Sequence, residues 1–307
     1  MKYLIGLDCG ATKTECAVAD VDGNILYTAA GKPVNLLVAG TYEASKNILS
    51  LIKECESEFN FTRDGIEQLV VGAAGAGRKN DADNFKSSLS ELLESNGIKI
   101  KSLHVVTDAR IALNGAFPKS SGCILIAGTG SIIYGKDDRG NIYRAGGFGR
   151  LIGDEGSGYS IGRKALQAAA KYFDNRNEKT QIADLLADEF NIKTTDDLIN
   201  KVYKENIDIA AVAKLTLTAA ESGDNSAIKI LDDESNELML HIKTILDKIN
   251  SPDLKLTFAG SLLTNDNIYS KMLKEKIQSS FPAVKIVEPK HQPVEGAILI
   301  AKEMLND

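Results

Sequence analysis

Positive charge is in short supply. The chain carries 36 Lys and Arg against 42 Asp and Glu, a formal net charge of -6. A surface of that sign offers no electrostatic footprint for nucleic acid or for an anionic membrane, so neither is an expected partner. Histidine is scarcer still: His104, His241 and His291 are scattered along the chain, and a zinc site is not expected. The four cysteines (Cys9, Cys16, Cys55 and Cys123) include no C-x-x-C pair. They read as buried reduced thiols, which fits the cytoplasm. No apolar run approaches the length of a membrane span. The opening MKYLIGLDCG has neither the length nor the small-residue cleavage site of a signal peptide. Low-complexity linkers are missing as well.

What the chain does have is the composition of a soluble globular protein, with 43% hydrophobic and 25% charged residues over 307 positions. That length buries a large core and predicts two domains. The stretch that organises the rest is residues 6–20, GLDCGATKTECAVAD. It reads as apolar strand, polar turn, apolar strand. The turn collects what a nucleotide phosphate needs: Gly10 and Ala11, small enough for backbone N–H groups to approach an anion, the hydroxyls of Thr12 and Thr14, and the Lys13 cation. Asp8 suits a Mg²⁺ ion held through water, because hard cations take oxygen ligands. Taken alone, the stretch is equally an ordinary hairpin.

The plan occurs twice. Residues 123–141, CILIAGTGSIIYGKDDRGN, give apolar strand, Gly128-Thr129-Gly130-Ser131 turn, apolar strand. Each hairpin then runs into an acidic turn, Asp22-Gly23-Asn24 and Asp138-Arg139-Gly140-Asn141, of the kind that supplies positive φ angles. Two like-folded halves, each offering a phosphate-binding hairpin, follow from this repeat. The two hairpins, together with residues 256–265 (LTFAGSLLTN), resemble the phosphate-1, phosphate-2 and adenosine motifs of the sugar-kinase/actin/heat-shock-chaperone ATPase superfamily. The closer resemblance is to the N-acetylglucosamine kinase branch of the BadF/BadG/BcrA/BcrD family. It extends along nearly the whole chain and includes GGFGRLIGDEGSG at residues 146–158.

That resemblance implies an α/β fold of two ribonuclease-H-like (actin-like ATPase) domains with a central interdomain cleft. Residues 1–117 are expected as the N-terminal domain, with a closing helix at 291–307 returning to it. Residues 118–290 are expected as the C-terminal domain with a helical insertion, and hinges are placed near 116–122 and 289–293. The pattern along the chain agrees with alternating strands and helices. Helices are predicted over 42–59, 83–96 (closed by Gly97), 158–172, much of 180–248 and 293–305. Strands are predicted over 68–72, 103–106, 255–259 and 284–287. Residues 72–79 come near a Walker A loop, but Arg78 and Lys79 stand where its Lys and Ser/Thr belong, so a P-loop is rejected.

Asp108 directly follows a buried strand, where open α/β sheets place functional groups. Phosphoryl transfer to a hydroxyl needs a carboxylate to accept the proton. Alone, Asp108 reads first as the cap of the helix that begins there; in its TDA setting it aligns with the family's catalytic Asp. Thr129, beside Gly130, offers a hydroxyl to the transferring phosphoryl. Gly260, Ser261 and Asn265 form the expected adenosine platform, with a helix-cap role for Ser261 or Asn265 nearly as good. Asn35, Gly147, Asp154 and Gly158 correspond to the family's sugar contacts, Asp154 as acceptor for ring hydroxyls. As a bland alternative, residues 146–158 are a mobile loop with solvated acids.

The resemblance therefore implies an ATP- and Mg²⁺-dependent kinase acting on the 6-hydroxyl of N-acetylglucosamine or N-acetylmuramate, as in cell-wall sugar recycling. Its partners would be that amino sugar and ATP, with a homodimer as the assembly to consider. Glucosamine and glucose stay open as substrates. A second reading is the ATPase activator of a 2-hydroxyacyl-CoA dehydratase, which needs cysteines exposed to hold an iron–sulfur cluster. A third, a sugar-sensing regulator, would carry an added DNA-binding segment, whereas this sequence opens on its first hairpin.

Overall fold

The computed structural model describes residues 1–10, 13–34, 36–59, 65–251 and 254–306. Contacts divide the chain into two units, Met1–Ser120 with Glu288–Asp307, and Ser121–Val287. The first unit is built on a five-stranded sheet of order β3-β2-β1-β4-β5. Its strands are β1 (Tyr3–Cys9), β2 (Thr14–Asp20), β3 (Ile25–Gly31), β4 (Ile66–Ala73) and β5 (Ile100–Thr107). β1 pairs antiparallel with β2 and parallel with β4, and β4 pairs parallel with β5. Both faces of the central strands are covered, so these strands read as near-continuous apolar runs. Ile5, Leu69 and Val71 pack with Ile48 and Ile52 of α1 (Leu36–Phe59) and Phe85 of α2 (Lys79–Ser95). Leu4, Ala17 and Val70 face the other way, against Ile111 of α3 (Asp108–Ala116) and Ala297 and Ile298 of the last helix, which spans Pro293–Asn306.

The second unit repeats the plan. Its sheet has the order β10-β9-β6-β7-β8, with β6 (Gly122–Ala127), β7 (Ser131–Lys136), β8 (Ile142–Gly146), β9 (Lys255–Ala259) and β10 (Lys285–Ile286). β6 to β8 form an antiparallel meander, and β9 and β10 extend it in parallel beyond β6. Helices α4 (Gly158–Phe173), α5 (Gln181–Phe190), α6 (Thr195–Tyr203), α7 (Val212–Glu221) and α8 (Asn225–Ile249) lie between β8 and β9. The short α9 (Ser261–Thr264) and α10 (Ile268–Ser280) follow β9, and the helix at Pro293–Asn306 is α11. One core joins Leu125, Ala127 and Ile133 of the sheet to Ile161 and Ala165 of α4 and Leu238 and Ile242 of α8.

The repeat is deeper than the apolar pattern suggests. The Asp20 carboxylate accepts from the backbone of Asp22 and Asn24 and from the Asn24 side chain. The Asp137 carboxylate does the same for Arg139 and Asn141. The organising acid of each turn thus lies just ahead of it, Asp20 two residues before Asp22 and Asp137 one before Asp138, an Asx arrangement. The sequence reading stopped each hairpin at its acidic turn; the structure adds β3 and β8. β3 lies at a sheet edge and none of its residues is buried, so it carries no buried run to detect. Helix α1 starts at Leu36 rather than residue 42, through a break at Gly40 (φ 73°). The cap expectation at Gly97 is met, its N–H donating to Glu94 O, and α6 opens on a capping box formed by Thr194 and Asp197. All four cysteines are buried. Among the described residues no helix is long and apolar enough to cross a membrane.

Candidate functional site

Three parallel strands, β1, β4 and β5, end at one edge of the first sheet. Register places Asp8 beside Gly72 and Ala73 beside Thr107, so Asp8 and Asp108 stand at the same carboxyl edge with β4 between them. Open α/β sheets put their ligands at this edge. Asp108 is the first residue of α3, but it is not the cap. Thr107 fills that role, its hydroxyl accepting from the Arg110 N–H at 3.2 Å. Asp108 Oδ1 accepts from the Ala109 N–H at 2.8 Å, and burial raises its pKa against its backbone hydrogen bonds. Asp8 is pushed up to about 6, first by burial, then by the charges of Asp108 and Glu15, against which Lys13 acts weakly. Lys13 is exposed and paired with Glu15 at 2.6 Å.

The turn between β1 and β2 is closed by the Gly10 N–H donating to Lys13 O (3.0 Å), and Gly10 O accepts from Val34 N–H. Ala11 and Thr12 lie outside the described residues, as does Asn35. Thr14 is 1% exposed and sits opposite Cys9 in the ladder. These carboxylates suit a hard divalent cation. Among the described residues no three metal-binding side chains converge; an ion held here would take one or two carboxylates and complete its shell with water and bound phosphates. The uncompensated charge at Asp8 is what such an ion would neutralise.

In the second unit the Gly128 N–H donates to Gly130 O (2.9 Å), leaving Thr129 exposed at the tip of the β6–β7 turn. The backbone of α4 is stitched to it: Gly158 N–H donates to Gly128 O (2.8 Å) and Tyr159 N–H to Thr129 O (3.2 Å). From the other side comes the β9–α9 turn. Gly260 has φ +85°, and a Cβ there would lie 2.3 Å from Ala127 O, so only glycine lets the turn approach the end of β6 this closely. The result is a pocket of about 470 Å³ lined by Gly128, Thr129, Gly158, Lys214, Ser261 and Asn265, among others. Neither Ser261 nor Asn265 is spent on capping α10; Asn267 does that, in a capping box with Ser270. Four of the residues expected to bind nucleotide, Thr129, Gly130, Ser261 and Asn265, therefore gather around this turn and pocket. Gly158, expected at the sugar, lines the same pocket.

Asp154 lies against Gly130 of the same turn. Its carboxylate accepts from the Gly149 N–H at 3.2 Å and crowds Gly130, where a Cβ would come 2.9 Å from Oδ2. Burial raises its pKa. Gly147 packs over Ile132 of β7. Sequence reasoning missed four side chains that support this segment: Ser131, whose hydroxyl donates to Glu155 O at 2.5 Å, and Glu234, His241 and Tyr269 from α8 and α10. His241 stands under Gly146 and 3.9 Å from Glu155. Glu234 and Tyr269 sit in amphipathic helical stretches where one acid or one aromatic carries no distinguishing signal.

Paired sheets of this topology, each with a glycine-and-hydroxyl turn at the end of its first hairpin, define a protein of the two-domain actin-like ATPase class. The chain belongs to the BadF/BadG/BcrA/BcrD ATPase family, whose profile matches residues 5–301. It is 35% identical to an N-acetylmuramic acid/N-acetylglucosamine kinase of Clostridium acetobutylicum over 98% of this chain and 99% of that one. It is 30% identical to an N-acetyl-D-glucosamine kinase of Dictyostelium discoideum, over 98% of each. A solved structure from Chromobacterium violaceum, described as a candidate N-acetylglucosamine kinase, shares the fold at a TM-score of 0.78 and 23% identity, covering 98% of this chain and 99% of that one.

Proposed function

We propose that this protein is an ATP-dependent kinase that phosphorylates the 6-hydroxyl of an N-acetylated amino sugar, N-acetylglucosamine or N-acetylmuramate. The observation that carries the reading is the state of Asp108. Thr107 takes the helix cap, which leaves Asp108 a part-buried carboxylate, bonded to local backbone N–H groups and not spent on the cap, at the ligand edge of the sheet. Near full-length likeness to two amino-sugar kinases supports the sugar class.

In this reading Asp108 accepts the proton of the attacking hydroxyl and aims its oxygen, a role typically worth about 10²–10⁴-fold. Thr129 and the N–H groups of its turn meet the charge on the transferring phosphoryl. The pocket of Gly128, Ser261 and Asn265 holds the nucleoside, and Asp154 accepts from ring hydroxyls. Asp8 is the residue that would hold Mg²⁺, which when bound offsets phosphate charge. The burial of all four thiols gives an iron–sulfur activator no ligands on its surface.

The test is ADP release with ATP and Mg²⁺, run without sugar and with N-acetylglucosamine, N-acetylmuramate, glucosamine and glucose. One N-acetylated sugar should stimulate release strongly and carry the phosphate. Asp108→Asn should lose about 10²-fold or more of that turnover while binding nucleotide as before. ADP release indifferent to every sugar, or wild-type turnover by the variant, would overturn the reading.

A further inference from the structure

Residues 154–159 are tied down at nearly every backbone group, and two of the ties come from far along the chain. Gly156 has φ +80°, and a Cβ there would lie 2.3 Å from Leu238 Cγ, so the chain passes against α8 in a conformation that only glycine adopts easily. Its N–H donates to Glu234 Oε2. Its carbonyl accepts from the Tyr269 hydroxyl at 3.0 Å. Glu234 is 1% exposed, and its Oε1 also accepts from Ser160 (2.9 Å) and pairs with Lys164 at 2.7 Å. Tyr269 is fully buried. A buried carboxylate is tolerable only when its charge and lone pairs are met, as they are here.

The bonds flanking Gly156 show what this arrangement holds in place. Upstream, Glu155 O accepts from Ser131 at 2.5 Å and Asp154 O accepts from the Ser157 N–H at 3.2 Å. Downstream, Gly158 and Tyr159 donate to Gly128 O and Thr129 O. One short segment therefore joins the Asp154 carboxylate to the Thr129 turn, and Gly156 is its midpoint. Asp154 itself has φ +59°, a left-handed conformation that surrounding structure must maintain.

We infer that Glu234 and Tyr269 are positioning residues: a two-sided clamp on the Gly156 peptide that fixes the distance from Asp154 to the phosphate turn at Thr129. The inference rests on the kinase reading for its consequence, since a fixed distance between hydroxyl acceptor and phosphoryl turn is what places the sugar for transfer rather than water. The clamp's geometry does not depend on that reading. Its arms come from α8 and α10, neither of which otherwise supplies a residue expected at the sugar.

Tyr269→Phe removes one oxygen and no volume from the core; Glu234→Gln keeps an acceptor for the Gly156 N–H, and Glu234→Ala removes it. In the full-length protein, Tyr269→Phe and Glu234→Ala should raise the sugar KM by about tenfold, with the KM for ATP held within about twofold. They should also raise the ratio of ADP formed to sugar phosphate formed, because a loosened acceptor admits water. Glu234→Gln should fall between wild type and Glu234→Ala. Amide hydrogen exchange should quicken in residues 146–158 and not across α8 and α10. A purely structural role predicts the reverse: a lower melting temperature, exchange raised through the helices, and unchanged KM values and product ratio in the folded protein. That outcome overturns the clamp, as does Tyr269→Phe with wild-type exchange at 146–158. If the wild type phosphorylates no sugar, the kinase reading fails, and the exchange pattern alone decides for or against the clamp.

Discussion

Asp8 keeps a carboxylate where burial, Asp108 and Glu15 all oppose its charge. In the folded chain it titrates at about 6, against about 3.9 in an unfolded one. Between those values the folded state holds a proton that the unfolded state has released, so stability falls as pH rises through that window and stays reduced above it. The loss at neutral pH is on the order of 2–3 kcal/mol. Asp8→Asn removes it. The variant should melt at a higher temperature than wild type when both are free of nucleotide at neutral pH, and its melting temperature should lack the decline between about pH 4 and 6. Stabilisation by ATP with Mg²⁺ over ATP alone should shrink in the same variant, because the residue proposed to hold the ion is gone. Calorimetric scans across pH, with and without Mg²⁺, decide the matter; a variant less stable than wild type at neutral pH would show that Asp8 is compensated by a partner in the folded chain. On the proposed role of Asp8, function opposes stability at a named carboxylate.

At the scale of elements, the β9–α9 turn shapes the pocket proposed for the nucleoside through one close approach. A methyl group on Gly260 would meet Ala127 O at 2.3 Å and would also sit at φ +85°. Gly260→Ala must push the turn away from the β6 end, at a strain of about 1–3 kcal/mol. Ser261 and Asn265 follow that turn directly, so nucleotide affinity should fall by about tenfold or more, measured by titration calorimetry. A variant that melts lower yet binds ATP as tightly as wild type would mean the turn does not set the pocket. This element was legible in the sequence because an apolar strand ran into Gly-Ser. So were the positions of the β1–β2 and β6–β7 turns, since glycine and hydroxyl residues interrupt apolar runs there, and α2, whose Phe85, Leu89 and Leu93 recur at helical spacing. The edge strands β3 and β8 were not legible: pairing on one side only leaves them with alternating or open side chains and no run to read. Nor was the division of labour at helix starts. Asp108, Ser261 and Asn265 are all good cap residues by type, and only coordinates show Thr107 and Asn267 doing that work. The clamp on Gly156 was hidden for a further reason. Its two side chains lie 78 and 113 residues downstream of their backbone partners, and local pattern carries no information over such a span.

For the whole molecule, the order of the chain and the order of the units differ. Ser121–Val287 is one continuous stretch that contains its own sheet and its own core. The first unit is not continuous: residues 1–120 leave one face of their sheet to α11, which arrives from the far end of the sequence. Val294, Ala297, Ile298, Ile300 and Ala301 of α11 cover Leu4, Ala17, Ala19 and Val70, all of them buried. Gly6 of β1 and Gly296 of α11 allow the approach; a Cβ on Gly6 would be 2.9 Å from Val294 O, and one on Gly296 would be 2.0 Å from Ile111 O. Each of the larger buried aliphatics contributes about 1.5–3 kcal/mol. Val294, Ile298 and Ile300 together therefore rival the 5–15 kcal/mol that holds a typical domain folded. Truncation before residue 288 should unfold the first unit and expose Leu4 and Val70, while the amides of β6, β7, α4 and α8 keep their protection from hydrogen exchange. A peptide of residues 288–307 added in trans should restore protection to β1 and β4 in proportion to its concentration. If β1 and β4 stayed protected after truncation, α1 and α2 on the opposite face would be enough to hold the sheet, and the returning helix would be a lid on a unit already folded. The expected result instead makes the last twenty residues part of the first unit's cooperative fold, so that a unit begun at the first hairpin is completed only when the final helix has been made.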